Sequence, residues 1–402
     1  MNQNAGKLFW PNTYKAIADF PQLDENMECD VCIIGSGSTG AFLAYHFAQD
    51  DLKTVLVERG NIGYGSSIAS TGLLQYSNDK LFTSYIHSFG EEVAYNHLKN
   101  CYHAIAHYKY EILPKLDENP DFIERKSFYY ASKQEDERVL EEEFKNLSSF
   151  KFPVHYWRAA KIKQHFPFQK NAALITEGDA EINPYKNIHL LYDYAVKQGV
   201  KIFQNTEIVG NRFDHKEATL YTKDKHSIRT KYVIYATGYE AQQAVVDSNA
   251  QIVSSYAIAT NSIEYFNGWS DNMLIWETAR PYIYARTSID QRIIIGGLDE
   301  GTIDRNKRES MLFHKRDLLL KILVDLFPEL SGKIQAEYYW TGFLGETHNG
   351  LPMIKQHPNY ENGYYLLPYG GNGTVYSMIL SKILKGFILH GHHDDFSLYY
   401  KQ

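Results

Sequence analysis

The stretch from Asp30 to Glu58 constrains this chain more than any other. The apolar run Asp30–Ile34 leads into Gly35-Ser36-Gly37-Ser38-Thr39-Gly40 and then the helix-compatible segment Ala41–Gln49. A second apolar run, Thr54–Val57, ends in Glu58. The order predicts strand, glycine turn, helix and parallel strand, with an acid about twenty residues past the glycines. Gly35 permits the tight turn, Gly37 leaves the backbone open to a pyrophosphate, and Gly40 lets the helix pack closely on the strand. The helix N-terminus after these glycines offers unpaired N–H groups and a partial positive charge to the phosphates, and Ser38 and Thr39 of the loop are cofactor-binding candidates. Glu58 suits the free ribose hydroxyls of NAD or of the adenosine half of FAD, and it repels a 2′-phosphate.

At 402 residues the chain predicts two linked domains. A net charge of −7 provides no basic field for nucleic acid. No apolar run approaches the ~18–20 residues of a membrane span, and the first residues lack a signal pattern, so a soluble cytoplasmic protein without membrane insertion is expected. Cys29 and Cys32 have redox-motif spacing but precede the glycine turn on a strand, where small buried side chains are expected. His390, His392 and His393 with Asp394 and Asp395 read as a solvated tail, and no metal is expected.

Two further glycine turns shift the cofactor from NAD toward FAD. Val233-Ile234-Tyr235-Ala236-Thr237-Gly238 is an apolar strand ending in a small turn that lets backbone approach a cofactor. Tyr369-Gly370-Gly371-Asn372-Gly373-Thr374 leads into a closing helix and places a second helix N-terminus where charge on a reduced flavin could be stabilised. Between them, short alternating runs such as Ile252–Thr260, Tyr282–Arg286 and Arg292–Ile295 predict an antiparallel sheet. The expected fold is α/β: a discontinuous Rossmann-like FAD-binding domain (29–90, 172–245 and 332–390) with an inserted, mainly antiparallel substrate domain carrying helices (91–171 and 246–331). Residues 1–28 read as an irregular lead-in.

These segments, in this order, resemble the FAD-dependent oxidoreductases of the D-amino-acid oxidase superfamily, which includes glycine oxidase, sarcosine oxidase and γ-glutamylputrescine oxidase. The resemblance also covers Glu181-Ile182-Asn183-Pro184, Asn205–Ile208, Arg292–Gly297 and Trp340-Thr341-Gly342 with Leu351-Pro352. It implies that Glu58 holds the adenosine ribose, flanked by Arg59, and that Ile208 meets the adenine through its main chain. It implies Ser66, Ser67, Ser70, Thr71, Gly72 and Leu73 along the pyrophosphate and isoalloxazine, with Ala236, Thr237 and Gly238 at the second turn. Gly371, Asn372, Gly373 and Thr374 would surround the flavin pyrimidine and ribityl.

Relatives that tether flavin do so through a Cys after the strand near 340. Trp340-Thr341-Gly342-Phe343-Leu344 has none, so non-covalent FAD is expected. Ile293-Ile294-Ile295 stands where some relatives place an oxygen-activating Lys, which leaves both oxidase and dehydrogenase open. Substrate-pocket candidates are Gln75, Tyr282, Tyr284, Arg286, His348 and Tyr369, with Tyr76, Tyr256, Arg280 and Trp340 near them. Alternation puts Tyr282, Tyr284 and Arg286 on one strand face, with Arg286 the anchor for any substrate carboxylate. The expected activity is oxidation of a C–N bond in a small amine or N-substituted amino acid, with hydride passing to flavin N5. The imine is then hydrolysed, and electrons go on to oxygen or another acceptor. An NAD-dependent dehydrogenase and a non-catalytic flavin-binding scaffold are the rival readings.

Overall fold

The computed structural model describes residues 3–16, 19–245, 248–264 and 266–401 as two large sheets with helices packed on them. Strand Met27–Ile34 centres the first sheet. It runs parallel to Thr54–Val57 on one side and to Ser227–Tyr235 on the other. Lys201–Phe203 and Tyr360–Leu367 extend the parallel order outward. Strands covered on both faces must be apolar throughout, and Val31, Cys32, Ile33 and Leu56 are fully buried. The N–H groups of Asp30 and Val31 both reach Lys53 O, at 2.8 and 3.2 Å. The two cysteines flanking this irregularity pack in one apolar cluster.

Helix Ser38–Phe47 buries every residue, which its apolar composition on all sides requires. It packs between Pro184–Lys197 and the closing helix Gly373–His390. Asn183 caps Pro184–Lys197 by accepting from Lys186 N–H at 3.1 Å, and Pro184 takes the first position, where its missing N–H costs nothing.

The second sheet follows the order Asn4–Lys7, Ala336–Thr347, Ala250–Thr260, Ile293–Glu300, Ile283–Thr287, Leu274–Glu277, Ile123–Tyr130, Ala172–Glu181 and Leu73–Leu74. Along this path only Leu274–Glu277 with Ile123–Tyr130 is parallel. One face buries Phe128, Ile175, Ile258, Ile275 and Ile295, joined by Leu319 and Leu323 of helix Leu312–Leu326.

The mixed architecture matches the sequence expectation, with informative differences. The lead-in is partly ordered, because Asn4–Lys7 forms an edge strand on Ala336–Thr347. Within the segment assigned partly to each domain, helices Phe82–Phe89 and Glu91–His107 are separated by Gly90, where φ is +85°. Ala172–Glu181 and Ala336–Thr347 pair in the larger sheet, although the sequence division groups them with the nucleotide-binding part. Alternation identifies a strand but not its distant partner. Among the described residues, no helix is long and apolar enough to cross a membrane.

Candidate active site

A cavity of ≈ 540 Å³ is lined by residues from both sheets. At its first end, the strand Met27–Ile34 stops and the glycine turn begins. Gly35 has φ +108°, and a Cβ there would lie 2.5 Å from Ala236 O, so the first turn and the 236–238 turn touch through backbone. Gly40 does not line the cavity; a Cβ would lie 2.1 Å from Gly35 O, so its role is helix-on-turn packing. The following helix has no side-chain cap at Gly37, and Ser38 N–H finds Ser67 Oγ at 2.9 Å. Glu58 sits beside it, Oε2 accepting from Ser36 N–H (3.0 Å) and Ser36 Oγ (2.8 Å) and Oε1 from Gly60 N–H (2.9 Å). Arg59 pairs with Glu240 and lines the same end, as do Ile208, Ala236, Thr237 and Gly238.

The second helix N-terminus, at Gly373, also opens here without a side-chain cap. Asn372, also in the cavity wall, donates to Ser77 O (2.7 Å) and Asn78 Oδ1 (3.1 Å). Two uncapped helix starts, each carrying partial positive charge, face one cavity. The Glu58 carboxylate lines the cavity beside the first of them. These residues fit a cofactor with a pyrophosphate and a second electron-rich region, as FAD has.

The other end is walled by rings from the larger sheet and adjoining loops: Tyr239, Tyr256, Trp276, Tyr282, Tyr284 and Tyr369. Burial holds the phenols of Tyr239 and Tyr256 up at about 12 and raises those of Tyr282 and Tyr284 as well, so all stay protonated. Trp276 stacks on Tyr129 at 3.8 Å between centroids, and its buried indole N–H meets no acceptor among the described residues. Asp79 joins the two sheets: Oδ1 accepts from Tyr282 OH and Oδ2 from Gly371 N–H, each at 2.8 Å. Behind Tyr282 lies a smaller recess lined by Arg280, Asp299 and Glu346. Burial there lifts the Asp299 carboxyl to about 6.

Of the residues expected from sequence, Ser66, Ser67, Ser70, Thr71, Leu73, Gln75, Gly371, Asn372, Gly373 and Thr374 line the cavity, with Tyr282, Tyr284 and Tyr369. Gly72 lies behind the wall; its φ is +74°, and a Cβ would strike Ile182 O at 2.2 Å. Arg286 and His348 do not line it. Arg286 is 2% exposed, donates to Ile182 O at 3.1 Å, and stands 3.6 Å from Glu181, which Arg125 also pairs at 2.9 Å. A guanidinium held in that buried network is no substrate anchor, so the expectation for Arg286 is corrected. His348 is held by its main-chain N–H on Asn249 O, 2.9 Å away. Sequence reasoning did not find Gln3, Asp79, Tyr239, Ser255 or Trp276. Only Asp79 carried a signal, as the acid of the polar run Ser77-Asn78-Asp79 that follows the Ser- and Gly-rich stretch 63–72.

Residues 30–385 match the model of a family described as FAD dependent oxidoreductase. The chain is 23% identical over 361 residues to a putative Rieske 2Fe-2S iron-sulfur protein of Bacillus subtilis, covering 88% of this chain but spanning only 66% of that relative. It is 22% identical to the gamma-glutamylputrescine oxidoreductase of Escherichia coli, over 91% of this chain and 85% of the relative. The crystal structure of glycine oxidase from Geobacillus kaustophilus superposes with a TM-score of 0.76 at 18% identity, covering 94% of this chain and 99% of the other. A match over most of the chain, on a cavity with two helix starts and the Glu58 carboxylate, places this protein in the FAD-dependent oxidoreductase family, with FAD as its cofactor.

Proposed function

We propose that the protein oxidises the C–N bond of a small amine that is cationic in water and carries no carboxylate needing an anchor. The observation behind this reading is the charge at the ring-walled end. Asp79 is the acid lining it, and among the described lining residues the one cation, Arg59, sits at the adenosine end and pairs with Glu240. A carboxylate entering this end would meet aromatic faces, which carry negative potential, whereas an ammonium is attracted by both rings and Asp79. The relative that acts on γ-glutamylputrescine and the structural neighbour that acts on glycine are both consistent with C–N oxidation.

FAD supplies the two-electron acceptor for the hydride leaving the carbon next to nitrogen, and the resulting imine is hydrolysed by water. The chain's own contribution is placement. Desolvation by the rings eases release of the ammonium proton to solvent water, and the neutral amine left in the cavity has the lone pair that assists hydride departure. The phenols stay protonated and act as walls and hydrogen-bond partners rather than bases. Asp79 ties the ring-walled strand to the second glycine loop, so a substrate drawn to it is held against the cofactor region.

Anaerobic mixing with primary and secondary alkylamines, N-methyl amino acids, glycine and D-alanine tests the reading. The amines should bleach the flavin fastest. Fastest bleaching by glycine or D-alanine would overturn it.

A further inference from the structure

The loop between Glu58 and Gly72 supplies Asn61, Tyr64–Ser67 and Ala69–Thr71 to the cavity wall, yet its internal order is one short turn, Ser66–Ala69. Its outer side is held by side chains from the start of the chain. Asn4 Nδ2 donates to Tyr64 O (3.1 Å) and Gly65 O (3.0 Å). Gln3 Oε1 accepts from Ser66 N–H (3.0 Å) and Ser66 Oγ (2.7 Å). Trp10, 2% exposed, donates its indole N–H to Ser70 O at 2.6 Å. The segment is itself fixed, because Asn4–Lys7 pairs with 339–342 and Gln3 O accepts from Phe343 N–H at 3.2 Å. Gln3 also lines the cavity.

These bonds have a consequence one residue further on. With Ser66 tied to Gln3, Ser67 is placed so that its Oγ meets Ser38 N–H and Ser38 Oγ at the first helix start. The position of that hydroxyl decides whether the helix N-terminus is presented in the correct shape to a pyrophosphate.

We propose that Gln3 is a cofactor-positioning residue, and that the segment Gln3–Trp10 buckles the 64–70 loop into the shape that binds FAD. Loop residues without this support sample other conformations, and the ordering cost then falls on cofactor binding. Losing the acceptor for two Ser66 donors should weaken FAD binding about tenfold.

The test is titration of FAD into the full-length apoprotein, followed by quenching of flavin fluorescence, with thermal melting of the apoprotein measured in parallel. Gln3→Met keeps the side-chain length without the acceptor. It should raise the Kd for FAD about tenfold while the apoprotein melts as wild type does. Asn4→Ala, at a half-buried position on the same segment, should raise Kd in the same direction and carries the test if Gln3→Met fails to fold. An unchanged Kd in either folded variant overturns the proposal. So does a Kd increase accompanied by an equal loss of apoprotein stability, which would mark a general structural role. No substrate is involved, so failure here leaves the amine reading untouched.

Discussion

Replacing Asp79 by Asn separates charge from shape at the ring-walled end. The carboxylate accepts Tyr282 OH on one oxygen and Gly371 N–H on the other, both at 2.8 Å. An asparagine keeps this arrangement if its carbonyl takes Gly371 N–H and its amide donates to the Tyr282 oxygen. The loss is then mainly the negative charge. An ammonium about 5 Å away interacts with that charge by about 3 kcal/mol at an effective dielectric near 20. Water at the cavity mouth reduces this to about 2 kcal/mol, or about thirtyfold in affinity. Anaerobic stopped-flow reduction over a range of amine concentrations yields both the amine Kd and the limiting rate. At a pH where the bound amine is cationic, the expected result is a Kd raised about thirtyfold with a limiting rate that rises, by up to the same factor, because the amine then gives up its proton more readily. An unchanged Kd with a collapsed limiting rate would refute the electrostatic role and show that Asp79 acts through Gly371 on the cofactor loop.

Glu58→Arg should weaken FAD binding about ten- to a hundredfold, since charge-assisted hydrogen bonds contribute about 1.5–3 kcal/mol; equal affinity in an FAD titration would remove Glu58 from the ribose site. The three cysteines are buried and none lines the cavity, so acid precipitation should leave all the yellow colour in the supernatant, and colour in the pellet would contradict non-covalent binding. Burial pulls His46 and His97 down to about 3 and His189 to about 4. These rings are neutral when folded and take protons when unfolded below about 6.5, so their contribution is complete above that pH and is lost as pH falls toward 4, by up to about 1.4 kcal/mol per unit for each ring. Asp299, raised to about 6, shifts in the opposite sense and offsets about one of them. Thermal melting of the apoprotein should therefore drop between pH 7 and pH 5, and a flat profile would contradict these buried neutral rings.

The parts readable from sequence are those whose meaning is local. Gly35 to Gly40, the acid at Glu58, the 236–238 turn and the 370–374 loop each declare themselves by spacing, because a turn and the helix after it are set by neighbouring residues. The helix start at Asn183 and Pro184 follows the same local logic, with a capping side chain and a proline at the first position. What escaped is non-local. Gln3 reaches Ser66 across 63 positions, and Asp79 reaches Gly371 across 292. Arg286 shows the limit of periodicity. Its alternation with Tyr284 is real, but the cavity ends before Arg286, and Glu181 from a different strand meets it there. A face can be inferred from alternation; what covers the face cannot.

The indole of Trp276 shows that a side chain in the cavity wall need not offer its polar atom to what enters. Its N–H can only donate, is shut away from water, and has no acceptor among the described residues. An atom that water cannot touch in the open cavity is equally closed to a ligand, so the donor stays stranded whether the cavity is filled or not. It costs the folded chain about 1–3 kcal/mol in both states and cancels from every binding free energy. Selection among the proposed amines therefore falls to the ring surfaces and the Asp79 carboxylate, and not to this N–H.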